Sequence, residues 1–122
     1  MKINIDQIVR DTQDKGGTST SLFDGTSPTT GFMVSVGGGI PIAEGAFFFG
    51  FAGLMNLQEI AARNIGQPVY LGTWYDRPNR EVWIDLSENI QDYERAMALA
   101  ELRGEKAIYN VITGKDHVIR YE

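Results

Sequence analysis

The chain has 122 residues, of which 43% are hydrophobic and 22% charged, with a net charge of −5 at pH 7 and no cysteine. This length predicts a single folding unit over residues 1–122, large enough to bury a core without covalent cross-links. The missing cysteines exclude disulfides and thiolate chemistry and favour the cytoplasm, while the acidic charge argues against direct binding to a nucleic-acid backbone.

The N-terminal segment is predicted to form one helix and two short strands. Asn4 with Gln7 three residues later is typical of a helix N-terminus, and Gly16 with the glycine after it ends the helix. Residues that favour β structure predict strands at Thr18–Phe23 and Phe32–Val36. Between them, the sequence DGTSPTTG is turn chemistry throughout.

Three consecutive glycines, Gly37, Gly38 and Gly39, follow the second predicted strand. No glycine in the chain is followed by Lys and then Ser or Thr, and Ile42 occupies the third glycine position of a dinucleotide fingerprint, so the known phosphate loops are absent. The favoured interpretation is a bend. The alternative is an unclassified nest of backbone N–H groups that binds an anion.

An apolar element over Phe47–Ile65 is predicted to be a helix. Two starts are compatible with the sequence, either at a cap formed by Asn56 and Glu59 or earlier, near Ala46. The apolar run Ala46–Met55 is shorter than the roughly 18 residues that a membrane span requires, so we expect no membrane partner. The phenylalanines of this element are expected in the core, namely Phe47, Phe48, Phe49 and Phe51.

Two apolar runs around the turn DRPN predict a β-hairpin in the second half. Val82, Ile84 and Leu86 alternate onto one face of the second strand, and we expect that face to contact the core. The opposite face of this strand then carries Glu81, Trp83 and Asp85.

The position of Trp74, in the first strand of the hairpin, decides how this region is interpreted. If Trp74 and Trp83 share the outer face, the sheet exposes an aromatic stripe beside carboxylates, which is typical of a binding surface. The alternative is that the first helix or the Phe-rich helix covers both rings. The predicted contacts to a protein partner are Trp74, Trp83, Glu81 and Asp85.

A further helix is predicted between an N-cap at Asp92 and a stop at Gly104. Two strands then follow, joined at the turn around Gly114. Together the elements predict an α+β fold with a small antiparallel sheet packed with about three helices in a single domain.

The stretch YLGTWYD…EVWIDLSENIQDYERAMALAELRGEKAIYNVITGK resembles the C-terminal half of a family of small proteins encoded by phages and other mobile elements. The family pattern is a Gly-x-Trp-x-Asp hairpin, an apolar-Asp-x-Ser strand end, an Ala-rich helix and Arg-Gly-x-x-Ala-Ile-Tyr. Its matches here are Gly72, Trp74, Asp76, Asp85, Ser87, Ala96, Leu99, Gly104, Ala107 and Ile108. The N-terminal half resembles the family more loosely, and the Phe-rich segment departs from it. The resemblance implies a mobile-element origin, a place in the host cytoplasm and an accessory role, and it carries over no catalytic residue.

Catalytic chemistry has little support in the sequence. His117 is the only histidine, and no G-x-S-x-G nucleophile elbow is present. Asp76, Asp85 and Glu88 could converge on a cation site, but the spacing of a calcium loop is absent. The favoured role of Asp85 and Ser87 is to tie a strand-to-helix corner through backbone hydrogen bonds. We therefore predict no catalytic residue, metal ligand or cofactor, and an enzyme is the less favoured class.

Two functions from different classes remain. The favoured one is a small acidic inhibitor that binds a host protein, an anti-defence factor such as an anti-CRISPR protein, with binding that weakens as salt rises. The alternative is a nucleotide or other small-ligand module, a sponge or an enzyme, whose ligand contacts are Gly37, Gly38, Gly39, Arg77 and Arg80. A homo-oligomer could build such a pocket between copies. A phage structural or assembly protein is a third interpretation that length and composition allow.

Overall fold

Seven strands form one antiparallel sheet in the computed structural model, which describes residues 3–37 and 39–119. The strands are β1 (Gly17–Ser21), β2 (Phe32–Ser35), β3 (Ile40–Ala43), β4 (Tyr70–Asp76), β5 (Glu81–Ile90), β6 (Ala107–Asn110) and β7 (Lys115–Val118). The helices are α1 (Ile5–Lys15), α2 (Glu44–Phe48), α3 (Ala52–Asn64) and α4 (Tyr93–Leu102). The α+β class is therefore confirmed, with a larger sheet and one more helix than the sequence predicted.

The ten-residue strand β5 is the centre of the sheet, whose order is β1-β4-β5-β2-β6-β7. On one side β5 pairs with β4 along the predicted hairpin. On its other side β2 and β3 lie end to end, with Ser35 opposite Ser87 and Ile40 opposite Ile84. The two pairings are separated on β5 by residues 85–86 alone.

The third strand, β3, was not predicted, because its sequence IPIA is short and contains a proline. Proline is tolerated in a strand where its missing N–H is not needed for the ladder. Within the described residues β3 pairs with β5 alone, so Pro41 lies in an edge strand. Of the glycines at the predicted bend, Gly37 and Gly39 lie between β2 and β3, and Gly38 lies outside the described residues.

Two clusters of apolar side chains lie between the sheet and the helices. The larger cluster joins α1, α2 and α3 to β3, β4 and β5, and its fully buried members include Leu57, Leu71 and Val82. The smaller cluster joins α4 to β2 and β6 through Val34, Ala96, Ala100 and Ile108. Val34 lies opposite Glu88, an even-numbered residue of β5 like Val82, so both clusters bury the same face of the sheet.

The ends of α1 and α4 form as the sequence predicts. The Asn4 side chain accepts a hydrogen bond from the Gln7 N–H at 3.0 Å, and Gly16 ends α1 in the left-handed region with φ 90°. The Asp92 carboxylate accepts from the Arg95 N–H at 3.2 Å at the start of α4.

The Phe-rich element is broken into two helices, α2 and α3. Phe47 is buried, but Phe49 and Phe51, at the break, are 84% and 78% exposed, so the expectation that all four phenylalanines are core residues was wrong for these two. The two helices meet at Gly53, where a Cβ atom would lie 2.6 Å from the Phe47 ring. In one continuous helix from the region of Ala46, residues 47 and 53 would lie too far apart for this contact. The chain instead turns between α2 and α3, which brings Gly53 against Phe47.

Candidate functional site

The sheet face opposite the helices, here called the open face, carries every second residue of β5, namely Glu81, Trp83, Asp85, Ser87 and Asn89. The other residues of the strand, such as Val82 and Ile84, are buried under the helices. Trp74 of β4 lies directly opposite Trp83, so the two indoles share the open face. Trp74 is 58% exposed and Trp83 is half-buried. The helices contact the other face, so they do not cover these rings.

Asp85 lies on the open face next to the aromatic pair, directly opposite Gly72 of β4. A Cβ atom on Gly72 would lie 2.6 Å from Oδ1 of Asp85, so the carboxylate leans across the neighbouring strand into the space that the glycine leaves. Within residues 3–37 and 39–119, the Asp85 carboxylate has no hydrogen-bond or ion-pair partner. Its oxygens are not fully buried, so solvent is the partner that the described residues leave to this carboxylate.

The electrostatic setting of Asp85 differs from that of a solvated surface carboxylate. Burial raises its pKa above the ordinary value, and the nearby negative charge of Glu105, on the loop before β6, raises it further. Both causes disfavour the ionised form. A positive group placed beside Asp85 would act in the opposite direction and favour ionisation.

Trp83 lies on the open face by the alternation of β5, and its ring packs over Gly39. A Cβ atom on Gly39 would lie 3.0 Å from Cε3 of the Trp83 indole, so the ring lies over this glycine. The two side chains of β5 thus lean to opposite sides, with Trp83 over Gly39 and Asp85 over Gly72.

A groove of about 1000 Å³ runs across the open face. Its lining includes the aromatic and sulfur-containing side chains Met33, Trp74, Trp83 and Tyr109. The charged side chains of the lining are Asp11, Lys15, Asp85, Glu105 and Asp116. Among the described residues the lining thus has four carboxylates and one ammonium group. Lys15 pairs with Asp11 at 3.8 Å, which leaves the groove acidic.

Three of the four residues predicted as protein contacts line this groove, namely Trp74, Trp83 and Asp85. Glu81 shares their face but lies at the beginning of β5, outside the groove lining. The sequence analysis missed Tyr109 and Asp116, which form a cross-strand pair between β6 and β7, and Met33, which pairs with Tyr109. Only the pairing of β2 with β6 brings these residues beside β5, and no local pattern encodes that pairing.

The predicted role of Asp85 and Ser87 at a strand-to-helix corner was wrong, because both residues lie inside β5, which continues to Ile90. The cation site considered for Asp76, Asp85 and Glu88 is also not formed. Glu88 lies on the opposite face from Asp85 and pairs with Arg103 of the α4 C-terminus. The described residues contain no group of three or more His, Asp or Glu side chains that could hold a metal ion.

The residues considered for a small ligand are not brought together. Gly37 and Gly39 line the groove beside Trp83, whereas Gly38 lies outside the described residues. Arg77 and Arg80 lie in the β4–β5 turn. Arg80 precedes Ile84, the β5 residue opposite Ile40, by four residues, or about 13 Å along the strand. Arg77 stacks over the Tyr75 ring, 4.6 Å from its centroid, and donates to the Gln13 carbonyl at 3.2 Å.

His117 lies outside the groove lining. It is exposed on β7, and its Nε2 lies 2.7 Å from the Tyr93 hydroxyl at the start of α4. This contact joins the last described strand to a helix and places no acid or hydroxyl nucleophile in a triad with the imidazole.

Comparison with models of known families, with curated proteins and with solved structures gave no match. Among residues 3–37 and 39–119, no helix is both long and apolar enough to cross a membrane.

Proposed function

We propose that this chain is a small, acidic, non-enzymatic accessory protein of phage or mobile-element type that binds and inhibits a host protein, as anti-defence factors such as anti-CRISPR proteins do. The observation that carries the proposal is the pair Trp74 and Trp83, side by side on a sheet face that no described helix covers. Exposed tryptophans in a groove are typical binding hot spots, because they bury a large area with few rotatable bonds.

The charge of the groove supports a basic surface as the partner. Carboxylates outnumber ammonium groups in its lining, and the whole chain carries a charge of −5. Basic grooves are what nucleic-acid-binding proteins present to phosphates. An acidic sheet face that covers such a groove would block nucleic-acid binding without any chemical step, and opposite charges would accelerate the encounter.

The test is capture of host proteins by the purified chain, followed by a functional assay on what is captured. Trp74→Ala removes the more exposed indole and should reduce capture of the specific partner by about tenfold or more. Phe49→Ala removes an aromatic ring that is 84% exposed just after α2, away from the open face, and serves as the matched control. The captured protein should then lose nucleic-acid binding when the chain is added.

Three results contradict this proposal. The first is capture that Trp74→Ala leaves unchanged, and the second is capture that Phe49→Ala reduces equally. The third is a captured protein whose activity the chain does not alter. Wild-type binding should also weaken as salt rises, because the contacts are between exposed charges.

The small-ligand alternative has one supporting observation, a groove of about 1000 Å³ whose Trp74 and Trp83 rings could stack on a base. The carboxylates of the groove would repel a phosphate, and Arg77 and Arg80 of the hairpin lie outside the groove lining. A saturable thermal shift with nucleotides, lost in Trp74→Ala, would favour this alternative over the inhibitor.

A further inference from the structure

Asp85 is a half-buried carboxylate without a partner among the described residues. Removal of a charged group from water costs free energy unless a hydrogen bond or an opposite charge replaces the lost solvation. Gly72 leaves room for the carboxylate above β4, since a Cβ atom there would lie 2.6 Å from Oδ1. The Asp85 oxygens still reach solvent, and a positively charged donor from outside this part of the chain would replace the solvation that partial burial removes.

The two indoles define the shape of that group. Trp83 and Asp85 are two residues apart along β5, so their Cα atoms are about 7 Å apart. Trp74 and Asp85 are diagonal neighbours across the β4–β5 pair, about 7–8 Å apart. A cation that contacts the carboxylate thus lies against aromatic surface, where a flat group fits best.

We propose that the open face receives an arginine side chain from a basic protein partner, with the guanidinium stacked against Trp74 and Trp83 and paired with the Asp85 carboxylate. This inference rests on the proposed function and names the chemistry of its partner. A guanidinium is planar, stacks on aromatic rings and offers two parallel N–H donors to a carboxylate. It is also less strongly hydrated than an ammonium group, so it loses less on entering the groove.

The remaining acidic residues of the groove extend this preference to a basic segment. Glu105 and Asp116 line the same groove as Asp85 and can contact positive residues next to the arginine. Glu105 repels Asp85, since both side chains are acids, and its negative charge disfavours the ionised form of Asp85. The occupant is therefore a peptide segment with one arginine at Asp85 and further positive charge beside it.

The experiment is a fluorescence titration of the purified full chain with hexa-arginine and hexa-lysine. The chain has two tryptophans, and both lie on the open face, so fluorescence excited selectively in tryptophan rather than tyrosine reports on this surface. Hexa-arginine should bind at least about tenfold more tightly than hexa-lysine. Asp85→Asn should weaken hexa-arginine binding at least about tenfold, because it removes the charge and keeps the shape.

Glu101→Gln is the matched control, since it removes the same charge from an exposed position on α4. It should leave both affinities within about twofold of the wild type. Equal affinity for the two peptides would overturn the arginine preference. Equal losses in Asp85→Asn and Glu101→Gln, or no loss in Asp85→Asn, would overturn the site.

Sedimentation of the free chain tests the second copy as an occupant. A dimer that disappears in Asp85→Asn would overturn the foreign partner, because the arginine would then come from the chain itself. The proposed function fails separately. If the peptides do not bind but host capture depends on Trp74, the inhibitor function stands and the arginine site is wrong. If hexa-arginine binds as stated but no host protein is inhibited, the arginine site stands and the inhibitor function is wrong.

Discussion

The contact between Thr12 of α1 and Thr73 of β4 gives the sharpest test of how the first helix is fixed to the sheet. Both side chains are buried, and their hydroxyl oxygens are 2.6 Å apart. The Thr12 hydroxyl also lies 2.6 Å from the Ile8 carbonyl oxygen. A carbonyl only accepts, so the Thr12 proton is used there, and Thr73 must donate its own proton to Thr12.

This direction makes the two valine substitutions unequal. Thr12→Val leaves the Thr73 hydroxyl as a buried donor without an acceptor, which should lower the free energy of unfolding by about 2 kcal/mol. Thr73→Val leaves the Thr12 proton on the Ile8 carbonyl, so the loss should be closer to about 1 kcal/mol. At about 4 °C for each kcal/mol in a domain of this size, Tm should fall by about 8 °C and about 4 °C.

The assay is thermal and urea unfolding followed by circular dichroism for the wild type, both single variants and the double variant. The double variant should lose less than the sum of the single losses, because the donor and its acceptor leave together. Equal losses in the two single variants, or losses that add, would refute the assigned direction of the hydrogen bond. Thr113→Val makes the same change at an exposed threonine and should leave Tm unchanged.

Two further predictions concern Asp85 and the cap of α4. Because burial raises the pKa of Asp85, the folded chain holds this proton more tightly than the unfolded chain, and stability is lost as pH rises from about 4 through the raised pKa. Asp85→Asn should therefore melt above the wild type at pH 7 and together with it at pH 3; equal Tm values at pH 7 would contradict this. Asp92→Ala removes the acceptor of the Arg95 N–H and should lower stability by about 1 kcal/mol, or Tm by about 4 °C, in the same melts.

Local chemistry was enough to predict the elements whose ends depend on one or two residues. Asn4 and Asp92 accept the expected backbone hydrogen bonds, and Gly16 adopts the positive φ that ends α1. The hairpin around DRPN also forms, because alternation along β5 and a turn sequence both act within a few residues. The face shared by Trp74 and Trp83 follows from the register of the same hairpin.

The elements that the sequence analysis missed depend on contacts between distant parts of the chain. β3 exists as a strand because β5 extends far enough to pair with two segments in line, and its own sequence of four residues carries no such signal. The break between α2 and α3 follows from the contact of Gly53 with Phe47, which requires the tertiary packing of both helices. Tyr109 reaches the candidate site only through the pairing of β6 with β2.

The two faces of the sheet treat polar groups in opposite ways, and this difference supports the functional assignment of the open face. Under the helices, polar side chains are satisfied, as Thr12 by Thr73 and Glu88 by Arg103. The open face instead combines three features that each reduce stability: a strand glycine at Gly72, a half-buried carboxylate without a described partner at Asp85, and an exposed indole at Trp74. Features that break local rules tend to cluster where a protein binds or reacts. Because all three meet between β4 and β5, a single bound segment could compensate for them together, and Asp85→Asn should therefore make the free chain more stable while it weakens binding.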